Sequence, residues 1–325
     1  MKKLSSNVRL KGPFDLPLSL AAAASFLPAQ GTVPVVLRVG IRCGRHPAIL
    51  EIRQIKRSPP VIEAFSTVAI QDRRLQEHVE WLVSSDLDLR QFYELVHNHR
   101  VMGPVTRSLK GLKPLRPPSL FEMVVIAITE QQLSLAAAFY IRGRLVARFG
   151  QKWGTLWIFP APETLADAPL GELMRCGLSA RKAKYMKDLA QRVTDGRLDL
   201  GALKHKADEE AFACLVSQRG LGAWSAQYIL ARGLGRHDCL PSDDVSLRRV
   251  VGGFLSHGRH LTPEELEEVV LPFAPFRGLA AFYLSVAARL HGCASPKVRR
   301  PEAGGREVGV VVPSGRAGVG ESKDG

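Results

Sequence analysis

Beyond Pro118 the chain repeats one pattern, apolar residues spaced three and four apart in short segments broken by Gly, Pro and Asp. The segments run Phe121 to Glu130, Leu135 to Phe149, Pro162 to Asp167, Leu170 to Cys176, Ala180 to Thr194, Glu209 to Ser217, Ala223 to Leu234, Ser246 to Leu255, Pro263 to Val270 and Leu279 to Leu290. That period belongs to helices that each bury one face, so the region is predicted to fold as a bundle of about ten short helices. Ser179, Thr262 and Asp243 stand where N-caps are expected.

Upstream the period changes. Val33 to Ile41 and Ala48 to Ile55 alternate or run apolar around a turn at Gly44 to Pro47, as an antiparallel hairpin would. A third strand is expected over Val61 to Ile70, after Pro59-Pro60, and a helix over Arg73 to Ser84. Pro114, Pro117 and Pro118 then mark a boundary. The predicted architecture is mainly α, with an α+β N-terminal domain over residues 1–110 carrying a small antiparallel sheet, then a two-lobed helical bundle over 111–295. Residues 296–325, rich in Pro, Gly, Arg, Ser and Glu, are expected to be disordered.

A chain of 325 residues with 46% hydrophobic content can bury cores for two domains. Its 45 basic against 31 acidic residues leave a formal charge of +14, which favours a polyanionic partner, nucleic acid ahead of an anionic membrane surface. Cys43, Cys176, Cys214, Cys239 and Cys293 lack metal-ligand spacing, and a reducing compartment fits them. The nine histidines form no catalytic or ligand pattern either. Lys2 and Lys3 precede an apolar stretch, Leu16 to Leu27, but Asp15, Pro17 and Ser19 border or interrupt it, so it is read as an ordinary segment; no run is long enough to span a membrane.

Two features carry chemistry. Gly220-Leu221-Gly222 is a turn between two helical segments, with small Ser225-Ala226 allowing close packing. Its free N–H groups at a helix start suit a phosphate, although a plain structural turn has the same composition. Asp243-Asp244 then follows Pro241-Ser242 at another helix start. One acid there serves as a cap; the second is either solvated or a carboxylate held ionised by the helix terminus, fit to stabilise a cation or orient water.

LVSQRGLGAWSAQY at 215–228 followed by LPSDDVSLRR at 240–249 resembles the helix-hairpin-helix glycosylases of base excision repair. FEMVVIAITEQQLS at 121–134 is similar to that superfamily's glutamine-bearing helix end. The stretch at 159–190 and Pro275-Phe276-Arg277-Gly278 resemble the bacterial type II 3-methyladenine glycosylases within it. The resemblance spans about residues 115–292 and implies a catalytic role for Asp244, with Asp243 as its neighbour and cap. It implies contacts to the duplex gap and opposite strand from Gln131 and Gln132, phosphate contacts from the backbone of Gly220, Gly222 and Trp224 with Arg219 and Arg249 assisting, and a base cleft lined by Trp224 and Tyr228, to which Phe282, Tyr283 or Trp157 are candidate additions. Lys182, Lys184 and Lys187 are read as a basic helical face, solvated or facing phosphate.

In bifunctional members a lysine that forms a Schiff base with the sugar stands two residues after the second hairpin glycine. Trp224 stands there in this chain, which implies a monofunctional hydrolase. Val245 and Ser285 replace two aromatic residues of the family's cleft. The implied substrate is an alkylated purine such as 3-methyladenine in double-stranded DNA; oxidised or deaminated bases, or a non-catalytic DNA-binding module, are the alternatives. No cofactor is expected, apart from a monovalent cation held by hairpin carbonyls. A monomer associated with the nucleoid in the cytoplasm completes the expectation.

Overall fold

The computed structural model describes residues 4–26, 35–43, 46–68, 70–154 and 156–291. The expected disordered tail, 296–325, lies outside the described residues.

Strand β1 (Leu4–Arg9) and helix α1 (Leu16–Ala24) precede the hairpin of β2 (Val36–Cys43) and β3 (His46–Arg57), and β4 (Pro60–Ser66) follows. All neighbours in the order β1-β4-β3-β2 run antiparallel. Alternation sends Leu37, Val39 and Ile41 of β2, Leu50 and Ile52 of β3, and Ile62 and Ala64 of β4 to one buried face. That face is covered by Leu16 and Leu20 of α1 and by Leu75, Val79 and Leu82 of α2 (Asp72–Leu82).

Two helices follow in the same half of the chain, α3 (Leu89–Val96) and α4 (Met102–Ser108). The bundle proper begins with α5 (Leu120–Glu130) and α6 (Leu135–Phe149). A short hairpin of β5 (Gln151–Trp153) and β6 (Leu156–Ile158) comes next and lies against β2 so closely that a Cβ at Gly40 would sit 2.9 Å from the Trp157 carbonyl. The chain then forms α7 (Pro162–Asp167), α8 (Leu170–Arg175), α9 (Ala180–Thr194) and α10 (Asp208–Val216). It ends in α11 (Ala223–Ile229), α12 (Val245–Leu255), α13 (Pro263–Val270) and α14 (Arg277–His291). Helix α11 continues directly into a π turn, Leu230–Leu234. Ser179 and Thr262 cap α9 and α13 as expected, Thr262 in a full capping box with Glu265. No single described helix is long and apolar enough to cross a membrane.

The helices bury two cores. One joins Val124 and Ile128 of α5, Leu145 of α6, Leu189 of α9, Leu215 of α10 and Ile229 of α11. The other joins Phe92, Val96 and Met102 of α3 and α4 to Val251, Leu266 and Leu284 of α12 to α14. The expected division at residue 110 therefore falls inside one packed core: the second lobe is assembled from both ends of the described chain.

Glu122, in the first turn of α5, is buried where that helix meets the sheet. Burial pushes its carboxyl from 4.5 up to about 8, against the opposing pull of Arg142's positive charge. A folded pKa above the unfolded one means that the folded chain holds the proton longer. Its contribution is full below pH 4.5, declines between about 4.5 and 8, and is level above. The expected outcome is that Glu122→Gln gains Tm relative to wild type progressively from pH 5 to about pH 8 and keeps that gain at pH 9, the stability difference growing by up to about 1.4 kcal/mol per pH unit. Thermal melts showing a constant difference across that range would refute this account.

Candidate active site

The turn between α10 and α11 is built around Gly220. Its φ of +95° is a left-handed conformation, and a Cβ there would fall 2.5 Å from the ring of Tyr185 on α9. Gly222 is extended, exposed and opens α11. The carboxamide of Gln131, at the end of α5, locks the turn by donating to the Gly220 carbonyl at 2.7 Å and to Ser225 Oγ at 2.9 Å. The carbonyls of Gln218 and Gly220 thus already accept from Leu221 N and Gln131, leaving each a second lone pair for any cation.

This corrects the expectation for Gln131, whose amide is committed to the protein. Gln132 alone is left to project, exposed and with φ +54°, beside Leu133, which is also exposed. Lys182 departs from its expected solvated role as well: its Nζ donates to the carbonyls of Thr129 at 3.3 Å and Gln131 at 2.6 Å, capping the end of α5.

Asp244, not Asp243, is the N-cap of α12. Pro241 to Asp244 form a turn closed by Asp244 N on the Pro241 carbonyl, so Asp244 is the last extended residue before the helix while Asp243 is exposed. Its Oδ1 accepts from Leu247 N at 2.9 Å and its Oδ2 from Trp224 Nε1 at 3.2 Å. The carboxylate is therefore oriented on both oxygens, one by its own helix and the other by the hairpin helix.

Asp244 borders a cleft of about 1380 Å³ between the two lobes and α1. Trp224 stacks on Tyr228 at 5.1 Å between centroids, and both line it with Phe282. Burial, then the charge of Glu130, raises the Tyr228 phenol and keeps it protonated. Glu130 is itself nearly buried and paired to Arg142 at 2.7 Å. Sequence reasoning passed over this pair and over Arg232, a lone arginine in the apolar π turn whose guanidinium lies 4.5 Å from the Phe282 ring centroid. An isolated charge in a helical run is the only signal that marked it.

Tyr283 does not reach the cleft. It is fully buried, with its O–H donating to the Leu112 carbonyl at 2.7 Å and meeting Tyr93 Oη at 3.1 Å, which corrects its expected place against the base. The helical period explains this: one residue on from Phe282 is about 100° around α14, into the second core. Where aromatics were expected, Val245 is exposed beside Asp244, and Ser285 lines the cleft with Oγ donating to the Ala281 carbonyl at 2.9 Å. Arg219, 5.6 Å above the Tyr185 ring, and Arg249 are both exposed. Among the described residues no cluster of His, Cys, Asp or Glu has the geometry to hold a metal ion.

A glycine hairpin tied to a neighbouring helix end, with an oriented aspartate at the mouth of an interlobe cleft, defines a helix-hairpin-helix domain with a carboxylate site. Residues 125–275 match the HhH-GPD superfamily base excision DNA repair protein family, and the chain carries a domain of that superfamily. A Bacillus subtilis DNA-3-methyladenine glycosylase is 29% identical over 209 residues, which cover 63% of this chain and 69% of the relative; another from the same organism is spanned over 58% of its length. The solved 3-methyladenine DNA-glycosylase from Archaeoglobus fulgidus shares the fold with a TM-score of 0.76 at 23% identity, over 89% of this chain and all of the other. The Schizosaccharomyces pombe 3-methyladenine DNA glycosylase in complex with abasic DNA does so with a TM-score of 0.56 at 24% identity, over 63% of this chain and all of its own.

The geometry makes Gly220 the least replaceable residue of the hairpin. Gly220→Ala is expected to cost about 1–3 kcal/mol through the left-handed backbone and the Tyr185 ring, read as a lower urea midpoint with an unchanged slope. A midpoint equal to wild type would show that the turn does not need glycine.

Proposed function

We propose that this protein is a monofunctional DNA glycosylase of base excision repair that hydrolyses the N-glycosidic bond of an everted, alkylated base in double-stranded DNA. The observation that carries the reading is Asp244: a carboxylate fixed by Trp224 and by the α12 N-terminus, facing a cleft lined by stacked aromatic rings. The formal charge of +14, the relatives' names and the DNA-bound neighbour support it.

The duplex docks by its backbone on the amides at Gly220 to Trp224, with exposed Arg219 and Arg249 adding sequence-independent attraction. Gln132 and Leu133 enter the gap left when the base turns out, at a cost of about a few kcal/mol that is smallest for a damaged pair. The base enters the cleft over Trp224 and Tyr228. As the C1′–N bond lengthens, its electron pair goes to the base and positive charge gathers on the sugar, where Asp244 stabilises it. Water adds its oxygen to C1′ and gives up a proton, to the solvent when a cationic base leaves neutral and to the base when an uncharged one leaves as an anion.

Trp224 offers no amine to trap the sugar, so the abasic strand leaves intact. The enzyme works as a monomer without a cofactor, at the nucleoid in the cytoplasm.

Asp244→Asn tests this cleanly, because asparagine still caps a helix while the charge is gone. The expected result is loss of base release on the order of 10²–10³-fold with duplex affinity retained in fluorescence anisotropy. Free base is measured from methylated duplex, and strand breaks only after alkali. Full activity in this variant would sink the assignment.

A further inference from the structure

Arg232 is a half-buried cation with no hydrogen-bond partner among the described residues. Its Nη1 is inaccessible and lacks a hydrogen-bond partner, and the guanidinium makes no hydrogen bond or ion pair among the described residues. The Phe282 face lies 4.5 Å away, and Tyr228 and Glu130 act on its charge without a hydrogen bond or ion pair. The carboxylate best placed to pair with it, Glu130, is taken by Arg142 at 2.7 Å. Shutting a guanidinium nitrogen away from water without a partner is unfavourable, so a fold that keeps one usually has a use for it. Two further facts point the same way. Arg232 lies in the π turn that extends the hairpin helix, a local irregularity often found at functional sites, and it lines the cleft with Asp244.

A cation in that position disfavours a positively charged base. It favours one that is uncharged, presents a ring nitrogen or carbonyl oxygen as acceptor, and must leave with extra negative charge. Resting on the glycosylase reading above, we propose that Arg232 is a specificity-determining residue that donates to the acceptor edge of the everted base and makes uncharged alkylated bases the preferred substrates. When the C1′–N bond of such a base breaks, the electron pair stays on the base nitrogen. Arg232 stabilises that developing anion until the proton from the attacking water neutralises it, while Asp244 faces the opposite charge on the sugar. A base that already carries positive charge leaves as a neutral molecule and gains nothing from Arg232.

The test compares two alkylated bases in otherwise identical duplexes, uncharged 1,N6-ethenoadenine and cationic 7-methylguanine, under single turnover. Arg232→Met keeps the volume and removes the donors. It is expected to slow ethenoadenine release on the order of 10²-fold and to leave 7-methylguanine release unchanged or faster. Arg232→Lys, which keeps charge but loses the planar fork, falls between. Equal losses on both bases overturn the proposal. So does a uniform loss of affinity for undamaged duplex, which would place a phosphate on Arg232.

The wild-type chain supplies a second measurement that needs no variant. Its acceleration over spontaneous release should be larger for ethenoadenine, and the reverse order overturns the assignment. Absence of release from every alkylated duplex would instead refute the glycosylase reading itself, and the two failures are thereby distinguished.

Discussion

The hydrogen bonds of Gln131 hold together the parts of this molecule that face a ligand. One amide group joins the end of α5 to the Gly220 carbonyl and to Ser225, so the α5–α6 loop and the hairpin move as one piece. Lys182 closes the other side by capping α5 from α9. Trp224, on the helix that this hairpin starts, then reaches across to Asp244 on α12. Each bond is worth only about 1 kcal/mol net, but they act in series across four separate elements. Loss of any one leaves a projecting group without a fixed position.

Orientation is bought this way at the expense of stability in the first lobe. The cleft runs between two cores, and the groups lining it include Arg232, which has no hydrogen-bond partner among the described residues. The second lobe compensates through α14, where Tyr283 binds the Leu112 carbonyl and packs edge-on against Phe92 at 5.1 Å. This pins the segment before the bundle to its last helix.

Most of the helices were legible in the sequence because three-and-four periodicity is a local signal, as were β2 and β3, which are adjacent in sequence and pair with each other. Strand β1 was not, since its pairing partner, β4, lies about fifty residues away and its own six residues show too little alternation. The hairpin and the second acid were legible as chemistry, but which aspartate caps α12 depends on where the Pro241 turn ends, and adjacent residues of the same type cannot reveal that. The internal bonds of Gln131, read as a DNA contact, and of Lys182, read as solvated or facing phosphate, were hidden for a related reason: composition shows that a group is polar, while only the fold shows that its partner is a backbone carbonyl on another element.

Charge placement in the cleft separates two kinds of catalysis that composition could not distinguish. A site for cationic bases needs electron-rich faces and no competing cation. Here Val245 is exposed and aliphatic, Ser285 spends its hydroxyl on its own helix, and Phe282 already has a guanidinium over its face. The stacked pair of Trp224 and Tyr228 remains, with Trp224's indole N–H committed to Asp244. What distinguishes the cleft is thus a carboxylate and an unpaired guanidinium bordering the same space. That is the arrangement required when bond breaking itself creates opposite charges on sugar and base, because each developing charge then meets a fixed group that needs no reorganisation.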